Sequence, residues 1–150
     1  MTYTQFFTDS MAATLADALA HAGIGLPVYG QVSDPEAEHD RIEVRCSSTE
    51  EIIPGNFTTR LDCQVVLVLS ATSNDAWNVT SKGMRIASVV RSVLGRDWRG
   101  KPLRDPRPET DAEYAAAPFI VLDLVPAATA VDTSTGGYEL QAEFRAYVQF

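Results

Sequence analysis

Histidine and cysteine are scarce in this chain, with two of each among 150 residues. That scarcity removes most metal-centre and nucleophile chemistry from consideration. Glu38-His39-Asp40 sets a histidine between two carboxylates, but no second histidine or cysteine stands at ligand spacing, so no metal is expected. His21 falls in the last turn of a predicted helix, where free carbonyls and the helix dipole engage it. Cys46 and Cys63 lie in apolar strand patterns and read as buried free thiols in a reducing compartment. Long hydrophobic runs are missing too. None approaches the roughly 20 residues that cross a bilayer, so no membrane partner is expected. Residues 1–10 have no basic region and carry Asp9 beside Phe6 and Phe7, unlike a secretory signal. The sequons Asn56-Phe57-Thr58 and Asn78-Val79-Thr80 therefore read as chance matches.

Catalytic motifs are also wanting. There is no G-x-S-x-G elbow, no P-loop and no G-x-G-x-x-G before a helix, and no serine has an evident histidine partner. With 20 acidic residues, spacing cannot choose a pair for acid–base work. Aromatics do not interleave with a basic stripe, as a single-strand-binding platform needs. No enzymatic activity, catalytic residue or cofactor is expected.

What is present suits one domain, residues 1–150, able to bury a core. The net charge of −8 argues against free-standing nucleic-acid binding, because phosphate contacts need cations. The charge is unevenly placed. Eight of the 12 basic residues lie between Lys82 and Arg107: Lys82, Arg85, Arg91, Arg96, Arg99, Lys101, Arg104 and Arg107. Acids gather at Asp34, Glu36, Glu38 and Asp40. Such polarity suits head-to-tail contact between like subunits or an acidic partner. The alternative is a solvated, charge-rich loop.

The stretch from Pro54 to Leu94 organises the chain: a long strand, a polar turn and an amphipathic helix. Leu61, Cys63, Val65, Leu67 and Leu69 alternate with Arg60, Asp62, Gln64, Val66, Val68 and Ser70, which marks one face for a core. The other face is polar up to Gln64 and should meet water or a partner, whereas Val66 and Val68 should be covered. Before it, residues from about Thr4 to Ala22 predict a helix with the stripe Phe7, Met11, Leu15, Ala18, Leu19 and Ala22, capped at Gly23. Pro27 to Val32 reads as a short edge strand. Arg41 to Cys46 reads as a second strand, and Ser47 to Asn56 as a connection ending in a turn. The second helix begins after Ser73-Asn74-Asp75 and runs to Leu94. Its stripe is Val79, Gly83, Ile86, Val90 and Val93, widened by Trp77, Met84, Ala87 and Leu94. Gly83 implies a close approach of helix to sheet, since it costs about 1 kcal/mol against alanine.

Arg96 to Pro118 is long, charged and proline-rich. With Trp98, Leu103 and Tyr114 to bury, it reads as an arm that orders on a neighbour, the alternative being a mobile loop. Phe119 to Val125 is apolar on both faces apart from Asp123 and reads as a central strand closed by Pro126. Ala127 to Gly137 reads as a flexible connector. The final strand sends Tyr138, Leu140, Ala142, Phe144, Ala146, Val148 and Phe150 inward, with Glu139, Gln141, Glu143, Arg145, Tyr147 and Gln149 outward. The expected fold is α+β: a mostly antiparallel sheet of four to five strands with two helices packed on one face.

This pattern resembles the tail-terminator and tail-completion (head–tail joining) proteins of tailed bacteriophages. The likeness rests on the helix ending Leu19-Ala20-His21-Ala22-Gly23, and on Pro54-Gly55-Asn56-Phe57 leading into the strand Arg60 to Ser70. The turn Asn74-Asp75-Ala76-Trp77, the helix Ser81 to Leu94 and the closing strand pair complete it. The resemblance implies a structural virion protein of the phage tail or neck, assembled in the host cytoplasm. Six copies would form a ring that caps the tail tube and joins it to the head. Its partners would be itself, a tail tube protein and a head–tail connector protein. DNA would pass through without specific binding. Six copies carry a formal charge of about −48, six times the single-chain −8, and an acidic lumen repels DNA. Arg96, Arg99, Lys101, Arg104 and Arg107 are the candidate subunit or partner interface. Asp62, Gln64, Glu139 and Glu143 are the candidate lumen or interface face. The alternatives are a small ligand-binding or enzymatic α+β domain with a pocket beside residues 96–118, or a neighbouring connector or tube protein.

Overall fold

Every second residue from Tyr138 to Val148 is buried, and the polar residues between them are exposed or half-buried. A strand with this alternation needs cover on one side only, and two helices supply it. The computed structural model describes residues 3–30, 40–53, 58–70, 76–95, 103, 119–134 and 136–149. In chain order the elements are α1 (Tyr3–His21), β1 (Val28–Tyr29), β2 (Arg41–Ile53), β3 (Thr58–Leu69), α2 (Ala76–Leu94), β4 (Ile120–Asp132) and β5 (Tyr138–Gln149). The strands form one five-stranded sheet in the order β1-β2-β3-β5-β4. All neighbours are antiparallel except β1, which runs parallel to β2. The fold is α+β, and its sheet is mixed.

α1 lies against β1 and β2, α2 lies mainly against β5 and β3, and the helices touch each other. Phe7, Met11, Leu15 and Leu19 of α1 meet Val79, Ile86, Ala87, Val90 and Val93 of α2 and the inward residues of the strands in one buried cluster. Thr8 is buried in α1 as well, and its hydroxyl donates to the Thr4 carbonyl at 2.7 Å. That bond removes the cost of an unpaired buried hydroxyl. α1 ends as the sequence predicts. Gly23 has a φ of 73°, its N–H donates to the Ala20 carbonyl at 3.0 Å, and the Ile24 N–H reaches the Leu19 carbonyl at 2.9 Å. This pair of bonds is a Schellman cap. The His21 Nδ1 lies 2.8 Å from the Asp17 carbonyl, which can only accept, so Nδ1 carries the proton.

Two strand boundaries and the burial of one residue differ from the sequence reading. β2 does not stop at Cys46 but continues to Ile53, because Ser47, Ser48 and Thr49 pair with Asp62, Leu61 and Arg60. β4 is not a central strand closed at Pro126. It is an edge strand that runs on to Asp132, with register shifts at Val121/Asp123 and Pro126/Thr129. Proline is tolerated there because an edge strand bonds on one side only. The supposed connector from Ala127 is therefore mostly strand, and the hairpin turn begins after Asp132. Met84, assigned to the buried stripe of α2, is 62% exposed. The helix N-cap residues 73–75, the turn at 54–57, the acidic loop at 34–39 and residues 96–118 other than Leu103 lie outside the described residues. Leu103 joins the core of its own chain.

Gly83 sits where α2 crosses β5, and a Cβ there would overlap the Tyr138 ring. The glycine is retained for this contact despite its helix cost. Gly83→Ala is expected to lower stability by about 1–3 kcal/mol in chemical denaturation, the range for overpacking, where an uncrowded helix position would gain.

Candidate functional site: the polar face of the sheet

The face of the sheet turned away from the helices carries the candidate residues. On β2 the sequence Arg41-Ile42-Glu43-Val44-Arg45 alternates, so the three charged residues share that face. Arg41 Nε donates to Glu43 Oε1 at 2.8 Å, and Arg45 Nη2 donates to Glu43 Oε2. The Glu43 side chain is only 1% exposed, whereas that of Arg45 is 60% exposed. Burial by itself pushes the Glu43 carboxyl up, but the two guanidinium hydrogen bonds outweigh it and hold the pKa below the ordinary 4.5.

Asp62 and Gln64 stand on β3, and Glu139 and Glu143 on β5, all on this face as the sequence indicated. Gln64 is the direct cross-strand partner of Glu143, and Asp62 of Arg145. Glu139 lies opposite Val68, one strand position beyond the Gln141–Val66 pair in alternation. Gln141 Nε2 donates to Glu139 Oε1 at 3.2 Å, and Gln64 Nε2 to Gln141 Oε1 at 3.4 Å. Asp62 accepts from Arg60 Nε and Nη2, both at 3.3 Å. The face is therefore of mixed charge: Arg45, Arg60 and Arg145 interleave with Asp62 and Glu143. A shallow hollow of about 490 Å³ lies among Arg45, Ser47, Arg60, Asp62, Gln64 and Glu143. Val66 is buried and Val68 half-buried on this face, as their apolar character requires. Thr58, at the start of β3 on the same face, is buried too.

The sequence reading placed a strand at Arg41 to Cys46 but did not single out the Arg41–Glu43–Arg45 cluster. Its signal was available in the spacing of two that puts all three side chains on one side. The basic candidates Arg96, Arg99, Lys101, Arg104 and Arg107 lie outside the described residues.

Cys46 and Cys63 are direct cross-strand partners, both buried and unbridged. Burial pushes the Cys63 thiol well up, the Cys46 thiol hydrogen-bonded to it adds to this, and the Asp62 charge adds further. A thiol so held is a poor nucleophile. A second hollow, of about 480 Å³, lies where α1 ends beside α2, lined by Gly23, Gly25, Asn78, Ser81, Lys82 and Arg85. Arg85 there donates to the Ala22 carbonyl at 2.7 Å, capping α1. Among the described residues no group of three or more histidine, cysteine, aspartate or glutamate side chains is placed to hold a metal, and no helix is long and apolar enough to cross a membrane.

No protein-family model matches the sequence, and no curated protein matches it. The fold does have a solved counterpart. The chain is similar to one from the virion of a native gene transfer agent (GTA) particle, with a TM-score of 0.52 and 14% identity. The similarity covers 99% of this chain and 100% of that one. At this identity the likeness is one of fold.

Glu43→Gln tests the clasp on β2. Because the folded-state pKa is depressed, the Glu43 contribution is present above the ordinary 4.5 and is lost as pH falls through the lower folded value. The substitution is expected to cost about 1–3 kcal/mol at neutral pH and to flatten the loss of stability on acidification, as followed by urea unfolding from pH 7 to pH 3.

Proposed function

We propose that this chain is a structural virion protein whose copies form a hexameric ring that ends the tail tube and joins it to the head. The observation that carries the reading is the fold shared, end to end, with a chain of the gene transfer agent virion. The order of elements, which resembles phage tail terminators, supports the finer assignment. The broad polar face of the sheet fits a protein that works by surface contact. Its mixed charge changes one detail of the proposal: Asp62 is neutralised by Arg60 and faces Arg145. The acidity that would keep DNA from adhering then falls to Glu139, Glu143 and the chain's overall charge of −8. The basic residues Arg96, Arg99, Lys101, Arg104 and Arg107 would grip an adjacent subunit, a tube protein or a connector protein. In this reading the protein is not an enzyme.

Native mass spectrometry and negative-stain microscopy test the ring directly. A hexamer, or assembly upon addition of a tube protein, is expected; a chain that stays monomeric in both settings overturns the proposal. Reversing charge at Arg99, Lys101 and Arg104 together should abolish ring assembly or tail joining while leaving the circular dichroism spectrum intact. Unchanged assembly and joining would remove the role given to the basic segment.

A further inference from the structure

Cys46 of β2 and Cys63 of β3 stand directly opposite each other in an antiparallel ladder. They are the chain's two cysteines, so each is the other's one possible disulfide partner within the molecule. Both belong to the hydrophobic cluster beneath the helices, 8% and 5% exposed, and no bond joins them. The Cys46 thiol is hydrogen-bonded to that of Cys63, so the two sulfurs already meet. Opposed residues of an antiparallel pair have Cα atoms about 4.5–5.5 Å apart, and a disulfide accepts about 4.4–6.8 Å. A bridge can therefore close here without a change of register.

Access is the obstacle. Closed in the core, the thiols are out of reach of a dissolved oxidant, and that of Cys63 is held in its protonated form. The strand that carries Cys46 is bound on one side only at that point. β1 pairs with β2 at Ile42 and Glu43. Beyond them β2 bonds to β3 alone among the described residues, and that ladder is interrupted by a register shift between Thr49 and Ile52. Cys63 lies deeper in the sheet, with Phe144 of β5 on its other side. A strand bound on one side opens at lower cost than the whole molecule unfolds. Lifting the end of β2 uncovers Cys46 and leaves β3 and β5 paired.

We infer that Cys46 and Cys63 are a redox pair, converted by a small-molecule disulfide such as oxidised glutathione into a cross-strand disulfide that staples β2 to β3. The uncovered Cys46, as thiolate, attacks one sulfur of the oxidant, and one glutathione leaves as its thiolate. The Cys63 thiol gives up its proton and attacks the Cys46 sulfur of the mixed disulfide, and the second glutathione leaves. The two protein sulfurs lose two electrons, and the two glutathione sulfurs gain them and take up the two protons. A glutathione adduct on Cys46 cannot be folded back into the core, whereas the bridge can, so closure by Cys63 is favoured over a lasting adduct. The bridge then ties the two ends of the segment 47–62 and opposes the opening that admitted the oxidant. The chemistry is independent of the ring. Only its timing rests on the virion reading: reduced in the host cytoplasm during assembly, bridged once the particle is outside.

Intact-mass measurement on the full chain tests it. The reduced protein is incubated with oxidised glutathione under native conditions, quenched with acid, unfolded and treated with an alkylating agent. The expected product is a monomer that takes up no alkyl group and carries no glutathione, with Cys46 and Cys63 joined in its proteolytic map. Its circular dichroism spectrum should match that of the reduced chain. Its melting temperature should lie about 5–10 °C higher, as for tying the ends of a short segment, and fall back on addition of dithiothreitol. Cys46→Ser and Cys63→Ser should each abolish that shift; the wild-type mass readout stands even if a serine variant fails to fold. Thiols that stay open to alkylation after prolonged exposure, a lasting glutathione adduct, or a bridge only between chains overturns the pairing. A bridged chain that melts lower than the reduced one, or loses its native spectrum, overturns the staple. None of these results bears on whether the chain forms a hexamer, which native mass spectrometry of the reduced protein decides separately.

Discussion

Between β3 and β5 the ladder runs unbroken from Thr58 opposite Gln149 to Leu69 opposite Tyr138. On its inner side Leu61, Cys63, Val65 and Leu67 lie beside Ala146, Phe144, Ala142 and Leu140, all buried. This double row is the floor on which α2 rests, and β2 extends it beneath α1. Because side chains alternate with a period of two, moving either strand by one residue would turn the apolar row to solvent. The register therefore decides the position of every other element. It brings Tyr138 under Gly83 and Gln64 beside Glu143.

The same constraint makes the two faces of the sheet unequal. One is closed by helices and holds the hydrophobic cluster. The other is held by side chains lying along the sheet, with Arg41 and Arg45 clasping Glu43 and Arg60 reaching Asp62. A carboxylate as enclosed as Glu43 survives there because both its oxygens are bonded to guanidinium groups.

Much of this was legible in the sequence wherever a strand or helix buries one side. The alternation from Tyr138 to Val148, the stripe of α1 and the glycine at 83 all predicted their surroundings. β4 was misread for a physical reason. Residues apolar on both faces announce that both avoid water, but not whether the chain's own layers or a second molecule covers them. The extension of β2 was hidden because Ser47-Ser48-Thr49 has turn-like composition, and its strand character comes from the partner residues of β3. The parallel pairing of β1 was equally out of reach, since it depends on where α1 delivers the chain. Among the candidate sites, Asp62, Gln64, Glu139 and Glu143 were placed on one face correctly by alternation. The Arg60–Asp62 pair was within reach of the same spacing of two, whereas Arg145 opposite Asp62 required knowing which strands are adjacent.

The adjacency of β3 and β5 has a bearing on how the molecule is made. Gln64 and Gln141 touch across 77 positions of sequence, so the middle of the sheet is sealed by segments far apart along the chain. Closing so large a loop is paid in entropy before any contact is gained. The β2–β3 hairpin can arise locally, yet the far edge of β3 stays unpaired until β5 arrives. A hairpin formed ahead of β5 would present an unpaired apolar strand, the kind of edge on which another chain can pair before the sheet is finished.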